Sequence, residues 1–277
     1  MSLHTGPSAP SVAPEQWFKR HARTSTPRRR LLVLPHAGGS ASFFHGWGTA
    51  FDDDTEVLVA RYPGRHDRLT EACIDRMEVL AEQVTEALLP LLDVPVTLFG
   101  HSMGASLAYE TALRLTRRHG VSPAALHVSS RKAPHRLTPR PLHEAGDEAL
   151  IAEVRRLGGT DEALLADPDL REIVLPAIRA DFTVVGTYGP RPADPVGCPV
   201  HAYIGDRDPS ITVEDMSAWS DVAPRGFTLD VFDGGHFYLT ERQRLLTDAV
   251  SSRMTGRTGA ERSRRTPGAP DHDFGED

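Results

Sequence analysis

A serine between two glycines has the surroundings that most clearly indicate chemistry. Residues 100–104 read Gly-His-Ser-Met-Gly, the G-x-S-x-G pattern that places a nucleophilic serine on a sharp turn between a strand and a helix. An apolar run over residues 94–99 precedes the pattern, and a helix-spaced apolar face follows it until Gly120. The glycines are needed because a side chain at either position would collide with neighbouring backbone. The sequence therefore predicts that Ser102 is an activated nucleophile.

A serine hydroxyl is a weak nucleophile at neutral pH and needs a neighbouring base. His236 suits this role because it lies in a Gly-Gly-His turn directly after the last predicted strand, residues 227–232. An acid that orients the histidine is expected after the preceding strand, where Asp206 and Asp208 both lie. Asp208 is favoured because the G-x-x-D spacing leaves it room to curl toward the histidine. Asp206 is better suited to a turn, where its side chain would accept hydrogen bonds from nearby backbone N–H groups.

Backbone N–H groups that could bind an oxyanion are expected at two places. Met103 begins the helix after the serine, where the helix end carries positive partial charge. The second place is the turn over residues 35–39, Pro-His-Ala-Gly-Gly, in which Ala37 is the expected donor. A phosphate loop is the alternative interpretation of this turn, but no Gly-Lys-Ser/Thr follows it. The combined pattern predicts acyl transfer to the serine and then to water, without a metal or organic cofactor.

The segments around these motifs alternate between short apolar runs and helix-spaced patterns. Strands are predicted at residues 31–34, 57–60, 94–99, 124–129, 200–204 and 227–232. Strands that alternate with helices imply a mostly parallel central sheet with helices on both faces, the α/β-hydrolase fold. From about residue 138 to 190 only helices are predicted, at 147–157, 161–165 and 170–185. We expect this insertion to cover the active site as a lid, and extra covering for the sheet is the alternative.

Composition restricts the class of protein. The chain has 277 residues, of which 39% are hydrophobic and 25% charged, and its net charge of -7 speaks against a general nucleic-acid binder. No apolar run could span a bilayer, and residues 1–30 lack the apolar centre of a secretory signal. The spacing of Cys73 and Cys198 does not suggest a pair, which favours free thiols in a reducing cytoplasm. We expect a monomer without a membrane or nucleic-acid partner. One domain is expected over residues 16–250, between a disordered arm (1–15) and a disordered tail (251–277).

Five motifs together resemble one family. They are Leu-Pro-His-Ala-Gly-Gly at 34–39, Tyr-Pro-Gly-Arg at 62–65, Gly-His-Ser-Met-Gly-Ala at 100–105, Leu-Gly-Gly-Thr at 157–160 and Gly-Gly-His-Phe-Tyr-Leu at 234–239. Over about residues 17–250 the chain resembles the type II thioesterases of modular polyketide and nonribosomal peptide synthases. His66 departs from the family, which often has a carboxylate at this position.

The resemblance implies a substrate and a set of site residues. The substrate would be an acyl group, stalled or aberrant ones included, on the phosphopantetheine arm of an acyl or peptidyl carrier domain. The resemblance also carries over Ser102, Asp208 and His236 as the catalytic triad, with Ala37 and Met103 as oxyanion donors. A generic carboxylesterase or lipase for small oxygen esters would use the same triad and is the alternative function. A non-catalytic binding module would show a broken triad, which this chain does not.

Carrier domains are usually acidic, so an acidic enzyme would need a local basic patch to bind one. Arg131, Lys132, Arg136 and Arg140 lie just before the insertion, near the predicted mouth of the site. They are the candidate docking surface, and a solvated loop is the alternative interpretation.

Overall fold

A seven-stranded sheet forms the centre of the molecule, counted over the described residues of the computed structural model. The described residues are 13–22, 24, 26–139, 141–159 and 165–256. In chain order the strands are β1 (Phe18–Ala22), β2 (Arg29–Leu34), β3 (Thr55–Ala60), β4 (Val96–His101), β5 (Ala125–Ser129), β6 (Val200–Gly205) and β7 (Phe227–Phe232). Their spatial order is β1-β3-β2-β4-β5-β6-β7, and all neighbours are parallel except β1 with β3. The predicted α/β-hydrolase fold is confirmed.

Helices cover both faces of the sheet. Within the described ranges they are α1 (Pro14–Trp17), α2 (Met77–Leu88), α3 (Met103–His119), α4 (Asp147–Leu157), α5 (Pro168–Thr187), α6 (Val213–Ser217), α7 (Tyr238–Glu241) and α8 (Gln243–Thr255). Alternate residues of β2 face opposite sides, as the two-residue period of a strand requires. Leu32 and Leu34 pack in a core cluster with residues of α2 and α3, whereas Leu31 and Val33 pack with Trp47 and residues of α8. Burial on both faces explains why this strand shows no polar alternation over its apolar part.

The first strand, β1, was not predicted from the sequence. It is an edge strand with the sequence Phe-Lys-Arg-His-Ala, which has no apolar alternation to reveal it. Trp17 and Phe18 are buried at its start and attach the N-terminal segment to the body. The basic run Arg28-Arg29-Arg30 before the first predicted strand would ordinarily indicate a solvated segment, but Arg30 is not solvated. Its side chain is buried in β2, where its Nε donates to the Glu56 carboxylate at 2.6 Å.

Helical structure extends beyond the predicted limits of 16–250. Helix α1 begins at Pro14, and α8 continues to Thr255, five residues into the predicted tail. Helix α8 continues because Leu246, Val250 and Met254 pack against the second face of the sheet. The remainder of the predicted arm, up to residue 12, and of the predicted tail, from residue 257, lies outside the described residues.

The helical insertion forms at the predicted place between β5 and β6. Helix α4 has the predicted bounds, and α5 begins as expected, because the Asp167 side chain accepts hydrogen bonds from the backbone N–H groups of Asp169 and Leu170. The predicted helix over 161–165 falls largely outside the described residues. The insertion has its own apolar cluster, of Leu150, Ile151, Val154, Leu165, Ile178 and Phe182. No helix in the described part of the chain is both long and apolar enough to cross a membrane.

Candidate active site

Ser102 lies on the turn between β4 and α3, in the backbone conformation that the motif predicted. Its φ is 54° and its ψ is -118°, and its N–H donates to the carbonyl oxygen of Ser129 on β5 at 2.8 Å. A Cβ added to Gly100 would lie 2.0 Å from the carbonyl oxygen of Gly104, and one added to Gly104 would lie 1.9 Å from that of Leu34. The turn is therefore restricted to glycine at both positions, and it presents the serine hydroxyl at the carboxyl edge of the sheet.

The structure brings the predicted base and acid to this serine. His236 Nε2 lies 3.1 Å from Ser102 Oγ, and His236 Nδ1 lies 2.8 Å from Asp208 Oδ2. The histidine is 4% exposed and the aspartate side chain 0%. The other oxygen, Asp208 Oδ1, accepts from the backbone N–H groups of Ser210 and Ile211. Burial raises the pKa of Asp208, but the hydrogen bonds and charge of His236 and the backbone donor outweigh it, so the pKa lies below its ordinary value.

Asp206, the alternative acid, does not contact the histidine in this arrangement. Its side chain is 44% exposed, and its Oδ1 accepts from the Gly234 N–H at 2.9 Å. This contact is the turn-stabilising role that the sequence assigned to it. Of the two aspartates that the sequence offered as the acid, Asp208 is therefore the one in contact with the histidine.

Two further histidines lie beside His236. His101 is buried, its ring centre is 5.1 Å from that of His236, and its Nδ1 lies 2.9 Å from Ser129 Oγ. It therefore points toward β5 and away from the nucleophile. His36 packs edge-on against Phe237, and burial lowers its pKa to about 3, so its imidazole is neutral at physiological pH.

The two expected oxyanion donors approach the site from different elements. Met103 is the first residue of α3, so its N–H has no acceptor within the helix. Ala37 lies in the turn after β2, lines the same cavity as Ser102, and its N–H has no acceptor among the described residues. The turn itself is tied back by the Tyr62 hydroxyl, which donates to the Pro35 carbonyl at 3.0 Å.

A cavity of about 610 Å³ adjoins the serine and the histidine. Its apolar lining comes mainly from the insertion and the segments next to it: Leu137, Leu142, Val154, Leu157, Phe182 and Val185. Side chains of the insertion therefore line the cavity beside the nucleophile. Over the described residues, no cluster of three or more histidine, cysteine or acidic side chains is arranged to hold a metal ion.

The predicted basic docking patch must be corrected. Arg131 lines the cavity, donates from Nε to Ser106 Oγ at 2.9 Å, and has its pKa lowered to about 10 by burial. Lys132 forms an ion pair with Asp215 at 3.1 Å. Arg136 is exposed, and Arg140 lies outside the described residues. The Arg131 side chain points inward because the segment after β5 forms part of the cavity wall, and the charge of Lys132 is offset by Asp215.

Arg65 and Asp181 are residues near the site that sequence reasoning missed. They form a buried ion pair beside the turn that carries Ala37, with Arg65 Nη2 2.8 Å from Asp181 Oδ1. The sequence did mark Arg65, because this residue ends the Tyr-Pro-Gly-Arg motif. Asp181 offered none, since it is one carboxylate among the charged residues of a long helix.

Three features define the class of α/β hydrolases: the mostly parallel sheet, the serine at its strand-to-helix turn, and the aspartate and histidine that follow the last two strands. Within this class, a model of the thioesterase domain family matches residues 29–255. The chain therefore belongs to the thioesterase domain family, and the resemblance found in its motifs is confirmed.

Similar proteins cover most of the chain. Thioesterase PikA5 of Streptomyces venezuelae is 41% identical over 245 residues, which are 88% of this chain and 87% of that protein. The gramicidin S biosynthesis protein GrsT of Aneurinibacillus migulanus is 36% identical over 227 residues, 82% of this chain and 89% of that protein. Among solved structures, the type II thioesterase BorB from the borrelidin biosynthetic cluster superposes with a TM-score of 0.80 at 40% identity, covering 90% of this chain and 100% of BorB.

Proposed function

We propose that this chain is a type II thioesterase that hydrolyses acyl groups from the phosphopantetheine arm of carrier domains in polyketide or nonribosomal peptide biosynthesis. The observation that carries the proposal is the hydrogen-bonded series Ser102, His236 and Asp208, which opens into a covered cavity. The named pathways of PikA5, GrsT and BorB support the biosynthetic setting.

The proposed reaction has two halves. In the first, Ser102 Oγ attacks the thioester carbonyl while His236 Nε2 takes its proton, and the ionised Asp208 accepts from Nδ1–H and stabilises the imidazolium. The N–H groups of Ala37 and Met103 bind the oxyanion of the tetrahedral intermediate. The C–S bond then breaks, and the histidine returns the proton to the leaving thiolate.

In the second half a water molecule replaces the thiol. His236 takes a proton from this water as it attacks the acyl-serine carbonyl, and the same oxyanion donors act again. Collapse of the second intermediate releases the carboxylic acid and returns the proton to Ser102. The apolar wall of the cavity, which includes Phe182 and Val185, suits the acyl chain during both halves.

The partner we propose is a carrier domain that delivers its acyl-pantetheine arm to this cavity. The setting we propose is a cytoplasmic monomer that binds neither nucleic acid nor membrane. The net charge of -7 supports the part that concerns nucleic acid, because a protein that binds the phosphate backbone needs a basic face.

The test compares one acyl group on three leaving groups: a carrier protein, N-acetylcysteamine and p-nitrophenol. We expect kcat/KM on the carrier to exceed that on N-acetylcysteamine by about 10-fold or more, because remote binding energy can lower the barrier. A Ser102→Ala variant is the control and should lose about a million-fold in kcat, and a fluorophosphonate should label the wild type at Ser102. Equal rates on carrier and truncated thioester would favour the generic esterase.

A further inference from the structure

A buried ion pair joins the insertion to the turn that carries Ala37. Asp181 lies on α5 and is 1% exposed, and the Arg65 side chain, from the loop after β3, is 11% exposed. Arg65 Nη1 lies 2.6 Å from Asp181 Oδ2, and Nη2 lies 2.8 Å from Oδ1. This two-point contact fixes the guanidinium plane as well as the charge.

Both members of the pair also bind the turn itself. The Gly38 N–H donates to Asp181 Oδ2 at 2.7 Å, and Arg65 Nη1 donates to the Gly39 carbonyl at 3.0 Å. Helix α5 approaches so closely here that a Cβ on Gly38 would lie 3.2 Å from Ile178 Cγ1. The peptide group that follows Ala37 is therefore held from the insertion side.

The peptide group before Ala37 is held by a hydrogen bond within the turn, and the preceding peptide group is held by the body of the protein. The Gly39 N–H donates to the His36 carbonyl at 2.9 Å, and the Tyr62 hydroxyl donates to the Pro35 carbonyl at 3.0 Å. With the peptide groups on both sides fixed, the direction of the Ala37 N–H is fixed as well. Asp181 contributes to this constraint only while α5 stays within hydrogen-bond distance of the turn.

A buried ion pair is weak evidence for stability, because desolvation of two charges offsets most of their attraction. Burial alone would lower the pKa of Arg65, but the nearby Asp181 carboxylate outweighs it and raises the pKa, so the guanidinium stays charged. A charged pair that gains little stability yet touches two backbone groups of one turn is better explained by the geometry that it imposes.

We propose that Asp181 and Arg65 are positioning residues that orient the Ala37 N–H for the oxyanion, so that the oxyanion hole is complete only when α5 covers the cavity. The proposal rests on the donor role of Ala37 in the proposed function. The position of α5 over the cavity would then both cover the acyl group and complete the stabilisation of the transition state.

The test replaces Asp181 with asparagine and measures all rates on an N-acetylcysteamine thioester, so that a failed carrier preference leaves this comparison intact. We expect Asp181→Asn to lower kcat by about 10- to 100-fold with KM changed less than about 3-fold, because oxyanion donors act chiefly in the transition state. Affinity for a trifluoromethyl ketone, which forms a tetrahedral adduct with the serine, should fall by the same factor. A thioether analogue of the same substrate has no carbonyl for the serine to attack, so its affinity should not change.

Asp147→Asn is the control for loss of an ion pair from the insertion, although this pair is more exposed than that of Asp181. Asp147 pairs with Arg179, two residues from Asp181 on α5, but this pair lies within the insertion and does not touch the turn. The control should leave kcat and ketone affinity unchanged. Equal losses in both variants would overturn the proposal, because the effect would then reflect only a loosened insertion.

Arg65→Lys is the second variant and remains informative if Asp181→Asn does not fold. It keeps the charge and loses the two-point contact, so we expect a smaller drop in kcat than for Arg65→Gln, with the ketone affinity following kcat in both. A rise in KM at unchanged kcat, or unchanged ketone affinity, would overturn the proposal in favour of a substrate-binding role.

Discussion

At the scale of single residues, Ser102 carries a cost that the surrounding structure must offset. A non-glycine residue at φ 54° and ψ -118° is strained by about 1–3 kcal/mol. The strain persists because the Ser102 N–H is bonded to β5 and the helix α3 begins at the next residue. The strained turn directs the hydroxyl into the cavity, where it can react, and not into the core.

The two aspartates after β6 provide a prediction at this scale. Asp208→Asn should lower kcat by about 10⁴-fold, because the histidine would lose the partner that selects its tautomer. Asp206→Asn is the matched control and should reduce kcat far less, since Asp206 accepts from the Gly234 N–H and pairs with Arg207 in an exposed turn, away from the histidine. Steady-state kinetics on one thioester, with a thermal melt of each variant, makes the comparison. The reverse ranking would assign the acid to Asp206.

At the scale of elements, local motifs were predictable and long-range partners were not. The elbow and the Gly-Gly-His turn are signalled by a few adjacent residues, because the backbone at each turn restricts which residues fit. Strand β1 has no periodic apolar pattern that would reveal it. Asp181 pairs with Arg65, which lies 116 residues away in the sequence, and no local pattern links the two. The half-buried position of Arg131 in the cavity wall was likewise not predictable, because a run of basic residues ordinarily indicates a solvated surface.

The two ends of α3 allow the same substitution to be compared in two environments. Gly104→Ala should lower the free energy of unfolding by about 3 kcal/mol or more, because its Cβ would overlap the Leu34 carbonyl oxygen. Gly120→Ala should cost only about 1 kcal/mol, since the left-handed φ of 68° is unfavourable but nothing lies within 4 Å. Urea unfolding of both variants measures the difference. A Gly104→Ala variant of wild-type stability would show that the elbow can relax.

At the scale of the whole molecule, the net charge affects how the protein associates with a carrier domain. The chain has a net charge of -7, and two of the four basic residues expected to form a docking patch are committed to the cavity wall or to Asp215. Carrier domains are usually acidic, so we expect net long-range repulsion between a carrier and this chain. Recognition must then depend on short-range contacts of the arm and of the cavity mouth.

This balance predicts a particular dependence on salt. Between ionic strengths of about 0.01 and 0.15 M the Debye length falls from about 30 to about 8 Å, so the repulsion is screened. We expect kcat/KM on an acyl-carrier protein to rise over this range, whereas the rate on the uncharged N-acetylcysteamine thioester should stay constant. A fall with added salt would contradict this and would indicate an attractive basic surface, for which Arg136 is the exposed candidate.

Ser129 on β5 joins the two parts of the chain that carry the nucleophile and the base. Its carbonyl accepts from the Ser102 N–H, and its hydroxyl lies 2.9 Å from His101 and 2.8 Å from the Tyr238 hydroxyl, two residues after His236. The spacing between serine and histidine is thus set inside the core, whereas the insertion has a separate apolar cluster of its own. We therefore expect the insertion to loosen first on heating, and Ser102 and His236 to keep their spacing until the sheet melts.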